Sequence, residues 1–65
     1  MRVLRNTRLE GVISKKRALQ LLGMELSVKH QVGNVELLIS RDDMGDVVID
    51  YIDDGEPAGG EFEEI

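Results

Sequence analysis

From Leu26 the chain alternates, with Leu26, Val28, His30 and Val32 on one side and Ser27, Lys29 and Gln31 on the other. A period of two is that of a half-buried strand. Gly33-Asn34 follows, a two-residue link that supplies the positive φ of a tight hairpin turn. Val35, Leu37 and Ile39 resume the alternation. With such a turn Val32 faces Val35, His30 faces Leu37 and Val28 faces Ile39, which makes one hairpin face apolar. Asp42-Asp43-Met44-Gly45-Asp46 then reads as a second turn and Val47 to Ile52 as a third strand rich in β-branched residues. Val47, Ile49 and Tyr51 lie on one side of it and Val48 and Ile52 on the other, so both faces are apolar. Such a strand needs cover from a helix or from another subunit, and Leu38 raises the same need one strand earlier. A dimer is expected.

The first half is less regular. Met1 to Leu9 reads as a strand in which Arg2, Arg5 and Arg8 interrupt the alternation. Ser14 is placed to cap a short helix over Lys15 to Leu22, with Ala18, Leu19, Leu21 and Leu22 as its apolar stripe and Gly23 as its end. The pattern predicts an α+β fold, a small β-α-β-β-β module whose strands form an antiparallel meander with one short helix. Residues 1–54 are expected to be compact. Gly55, Pro57, Gly59 and Gly60 stand among acids, so residues 55–65 are expected to be a flexible acidic tail.

Length sharpens the case for a dimer. Sixty-five residues make one small domain, and a chain of this size buries only about 60% of the surface its unfolded form exposes. There is no cysteine, hence no disulfide or thiolate metal site to reinforce the core. No apolar run approaches the roughly 18 residues of a membrane span, and the Met-Arg-Val-Leu-Arg start lacks a signal-peptide core. A cytoplasmic protein without membrane contact is expected.

Charge divides the chain more sharply than its average suggests. Residues 1–41 hold all eight basic residues and three acids, for a net of +5, whereas residues 42–65 hold ten acids and no base. Such asymmetry suits a basic part that meets a polyanion and an acidic part that meets something basic. Lys15, Lys16 and Arg17 sit in the first helical turn, where the macrodipole favours anions, so each is out of place by about 0.3–1 kcal/mol. With Arg2, Arg5 and Arg8 they form a patch able to hold several phosphates of DNA. Three readings share these residues: a phosphate platform, a solvated lysine cluster with no ligand, and a surface shielded by the chain's own acidic segment. In the C-terminal segment, Asp53, Asp54, Glu56, Glu61, Phe62, Glu63, Glu64 and Ile65 are the candidate contacts to a basic protein partner. Phe62 and Ile65 stand three apart, as on one side of a helical turn that folds on its target.

The stretch Val3 to Ile39 resembles the AbrB and MazE swapped-hairpin family of transcription regulators and antitoxins. The match rests on the basic first strand, Gly11-Val12-Ile13, the helix end Leu22-Gly23-Met24, and a hairpin of Leu26–Val32, Gly33-Asn34 and Val35–Ile39. Ser14 or Lys15 stands where the family has proline, the aliphatic spacing after Gly11 differs, and no Gly-Asp follows the helix. The resemblance implies an intertwined homodimer that binds DNA through Arg2, Arg5, Arg8 and the Lys15–Arg17 region. It also implies that residues 53–65 wrap a toxin, as an acidic extension does in antitoxin members.

Catalysis is poorly supported. The one histidine, His30, falls on an apolar strand face, where it is expected to be half-buried rather than a base for a nucleophile. The carboxylates fall in turns or tail, in a chain too small to wall a substrate cleft. Asp50, Asp54, Gly55 and Glu61 partly match a calcium loop, but Ile52 and Pro57 interrupt it. No cofactor or metal site and no enzymatic activity are expected. The reading is a non-enzymatic, dimeric DNA-binding regulator or antitoxin. The alternative is an acidic, phage-like inhibitor that imitates nucleic acid to bind a host protein, which requires Asp46, Asp50, Asp53 and Asp54 to share one exposed face.

Overall fold

The central hairpin forms in the expected register. In the computed structural model, which describes residues 1–65, β2 (Ser27–Val32) and β3 (Val35–Arg41) pair antiparallel, with Val28 opposite Ile39, His30 opposite Leu37 and Val32 opposite Val35. Gly33 carries a positive φ of 60° and Asn34 does not, the requirement of a type II′ turn. Leu26, expected on the apolar face, falls outside β2 and is 78% exposed.

β4 (Val47–Asp53) extends the meander, with Leu37 opposite Tyr51, Ile39 opposite Ile49 and Arg41 opposite Val47. The linking turn is held by Asp42, whose Oδ1 accepts from the N–H groups of Met44 at 3.0 Å and Asp46 at 2.8 Å. Asp42 is therefore a turn residue that stands in for a backbone acceptor.

The first segment departs from the expected meander. Strand β1 (Val3–Asn6) lies on the far side of β4 and runs parallel to it, with Val3 opposite Val47 and Arg5 opposite Ile49. It ends at Asn6 rather than continuing to Leu9, because the Asn6 side chain accepts from the Arg8 N–H and starts a 3-10 turn over Thr7–Leu9. Helix α1 (Lys15–Leu22) belongs to the crossover that a parallel pair requires. The Ser14 hydroxyl accepts from the Arg17 N–H at 3.1 Å, and Gly23, with φ 54°, ends the helix.

Residues 55–65, expected as a flexible tail, are instead two further strands. β5 (Glu56–Pro57) folds back on β4, with Ile52 opposite Pro57 and Asp53 opposite Glu56. Its turn is Asp54-Gly55, both residues at positive φ (55° and 84°), the combination a type I′ hairpin demands. β6 (Phe62–Glu64) then lies antiparallel to β1 on its free side, with Leu4 opposite Glu64 and Asn6 opposite Phe62. Phe62 and Ile65 thus belong to a strand and its end rather than to a helical turn, and point to opposite faces. The division expected between residues 54 and 55 falls inside a tight turn.

The result is an α+β fold in which one helix accompanies a six-stranded, mostly antiparallel sheet of order β2-β3-β4-β1-β6, with β5 beside the end of β4. The core lies on one face only. Val3, Leu9, Ile13, Ala18, Leu22, Leu37, Ile39, Val47 and Ile49 form it, and Ile65, Tyr51 and the half-buried Leu19 and Leu21 pack at its edge.

Candidate functional site

The basic patch read from the sequence is divided by the fold. Arg2 donates from its backbone N–H to Asp46 Oδ1 at 3.0 Å and from Nε to Asp46 Oδ2 at 3.3 Å. The Arg2 backbone N–H, and then its side chain and the nearby N-terminal ammonium, hold the Asp46 carboxyl below its usual range, against an opposing effect of burial. Arg5 is more deeply committed, with a side chain only 14% exposed. It donates to Glu63 Oε1 from Nε (3.1 Å) and Nη2, and to the Ile13 carbonyl from Nη1 (3.3 Å). Both arginines tie the start of the chain to carboxylates of the acidic half. Arg8, Lys15, Lys16 and Arg17 are exposed and make no side-chain hydrogen bond or ion pair. Four of the six expected phosphate contacts are therefore free, and two are structural.

The acidic half is divided likewise. Asp53, Asp54, Glu56, Glu61 and Glu64 are exposed, while Glu63 holds Arg5 and Ile65 packs on the core. The row of carboxylates required by nucleic-acid mimicry does not form. Asp46 and Asp50 are only 7% and 5% exposed, with their oxygens turned to internal donors. Strand period explains the outcome: Asp50 is a sheet residue, Asp46 precedes the strand, and Asp53 and Asp54 reach the outer turn.

Asp50 and Asn6 form a buried polar node that sequence reasoning missed. The β4 edge is shared by β1 and β5, and Tyr51 lies at the gap between them. Asp50 Oδ1 accepts from the Tyr51 N–H and from Asn6 Nδ2, both at 2.8 Å, and Oδ2 accepts from the Gly59 N–H at 2.9 Å. Asn6 Nδ2 also donates to the Gly59 carbonyl at 2.8 Å. The only signal for this node was an acid amid Val-Val-Ile and Tyr-Ile, where an unsatisfied carboxylate would be costly. Arg41 was also missed; it donates to the Gly23 carbonyl at 2.8 Å and the Glu25 carbonyl at 3.2 Å, a cation placed at the α1 C-terminus.

The pleat sends alternate residues to the opposite sheet face, which no helix covers. Leu4, Leu38, Val48 and Ile52 lie there, half-buried and outside the core cluster, with Phe62 37% exposed. The 58–60 segment meets this face at the Asp50–Asn6 node, where both side chains are buried. Lys29, opposite Leu38, and Glu64, opposite Leu4, flank the apolar strip on its two edge strands.

On the helix side a shallow cavity of about 200 Å³ is lined by Arg8, Leu9, Val12, Val35 and Tyr51. It is smaller than the roughly 300–1,000 Å³ of ordinary ligand pockets. His30 is half-buried on the same face, beside Leu37, as expected. No helix is long and apolar enough to cross a membrane. No family model, curated protein or solved structure matches the chain.

Proposed function

We propose that this chain is a small non-enzymatic binding protein that works by docking the open face of its sheet on a protein surface. The observation that carries the reading is the strip of Leu4, Leu38, Val48, Ile52 and Phe62 on a face without a covering layer. A sheet face of this kind ordinarily packs against a second layer, and a contiguous apolar strip left partly exposed supports an interaction surface. The test compares the wild-type chain with a Leu38→Glu, Val48→Lys variant as bait in extract of the source cells, after circular dichroism has established that both fold. A partner lost with the variant supports the reading. Equal capture by both removes it.

A second reading, the DNA-binding regulator, is favoured by one observation: Arg8, Lys15, Lys16 and Arg17 are exposed cations without partners. Four phosphate contacts give a log–log salt slope of about −3.6. Under this reading Lys16→Ala flattens the slope by about one unit, measured by titration of labelled duplex DNA. A slope near zero, or no binding at low salt, rules it out.

A further inference from the structure

The uncovered face is built so that it can be covered by itself. Its apolar strip runs over the inner strands, and its two edges carry opposite charges. Lys29 projects from β2 at one edge and Glu64 from β6 at the other, and neither forms an ion pair within the chain. A two-fold axis running along the strand direction, midway between two facing sheets, reverses the strand order of the second copy. It lays β2 of one copy over β6 of the other. Glu64 stands one pleat repeat, about 6.6 Å, along the strand direction from the level of Lys29, within reach of a lysine side chain. Two-fold symmetry makes the contact occur twice.

We propose that a second copy of this chain covers the open sheet face, with Leu4, Leu38 and Val48 at the centre and Lys29 of each copy paired with Glu64 of the other. The proposal rests on the docking reading above and names its partner. Two further observations bear on it. Asp50, which stands opposite Leu38 on that face, turns both oxygens to internal donors, so it offers no unsatisfied acceptor to the contact. The size of the face sets the strength. Five strands at about 4.8 Å spacing and four to six residues at about 3.3 Å give roughly 400 Å² per copy. About 800 Å² in total falls below the roughly 1,000 Å² that specific interfaces ordinarily clear, so the dimer is a weak, transient one that forms toward the upper end of the concentrations tested.

Sedimentation equilibrium of the full chain over roughly 1 μM to 1 mM tests this, with circular dichroism as the check on folding. Wild type is expected to pass from monomer to dimer across that range. Lys29→Glu alone and Glu64→Lys alone each turn two attractions into repulsions and weaken the dimer about tenfold or more. An equimolar mixture of the two single variants restores association, because every cross-subunit pair is then complementary again. Leu38→Glu, aimed at the apolar centre, leaves the protein monomeric throughout. A wild type monomeric at 1 mM, single variants that associate as wild type does, or a mixture that fails to recover each overturn the proposal. If wild type stays monomeric while Leu38→Glu, Val48→Lys loses another captured partner, the second copy is wrong and the docking reading stands. If wild type is monomeric and that variant captures everything wild type does, both fall.

Discussion

On β4, Val47 and Ile49 belong to the core and Tyr51 packs against it, whereas Val48 and Ile52, each one residue away, face a side that no helix covers. The side chains are of the same kind, and only their parity separates them. Hydrophobic sequence thus reports that both faces of the strand are apolar without saying what packs on either. On one face the cover is internal, from α1 and the 9–13 segment, and on the other no helix lies over the strand. The same contrast holds for charge. Arg5 is enclosed and bonded to Glu63, while Lys15, Lys16 and Arg17, ten to twelve residues on, remain free.

Truncation separates the two faces most strongly. Ile49→Ala, on the closed face, is expected to cost about 2–5 kcal/mol. Val48→Ala, on the open face, is expected to cost about 1 kcal/mol or less in the isolated chain. Urea denaturation at low concentration measures both, and equal losses would erase the distinction between the faces.

The polar node should come next. Asp50→Ala leaves the Tyr51 and Gly59 N–H groups without their acceptor and the Asn6 amide with the Gly59 carbonyl alone, at a cost of about 2–3 kcal/mol once water reaches part of the site. A loss below about 0.5 kcal/mol in the same denaturation would mean that the node closes the gap beside Tyr51 without securing it.

A smaller and more local effect belongs to Arg5. Arg5→Ala is expected to cost about 1–2 kcal/mol, reduced by the exposure of Glu63. Its effect should concentrate in β6, whose flanking bonds are Thr7 N–H to the Glu61 carbonyl and Ile65 N–H to the Val3 carbonyl. Hydrogen exchange should quicken at those two amides while the β2–β3 hairpin keeps its protection. Uniform quickening would show that β6 is not a separable unit.

The smallest effect is that of pH on the start of β1. Asp46 has its carboxyl held below the usual range in the folded chain, so its contribution is fully present above the unfolded value of about 3.9. It is lost as pH falls from there through the folded value. Asp46→Asn should therefore show a shallower acid loss of stability below about pH 4 than wild type, and parallel pH profiles would remove Asp46 as a source of that slope.

Much of the local structure was legible. Alternation and Gly33-Asn34 gave the hairpin register to the residue, and Ser14 and Gly23 gave the ends of α1. Asp54-Gly55 makes an equally tight turn, but the glycines and Pro57 around it have the composition of a flexible segment, which conceals it. The candidate site was less legible. Apolar residues on both sides of β4 pointed to an outer layer, yet the strip emerged only when Leu4 and Phe62 arrived from the two ends of the chain. Residue type alone does not say which of the six cations have partners: Arg2 and Arg5 are tied to carboxylates, and Arg8, Lys15, Lys16 and Arg17 are not.

By itself, the order of residues determined turns, caps and strand parity, because those depend on φ preferences and side-chain alternation within a few neighbours. Tertiary structure alone decided that β1 runs parallel to β4, that β6 closes the other side of β1, and that Arg5 meets Glu63 across 58 positions. Those pairings join segments with no local term in common. They are selected when the whole sheet assembles, by which edges still lack hydrogen-bond partners and which charges would otherwise be enclosed alone.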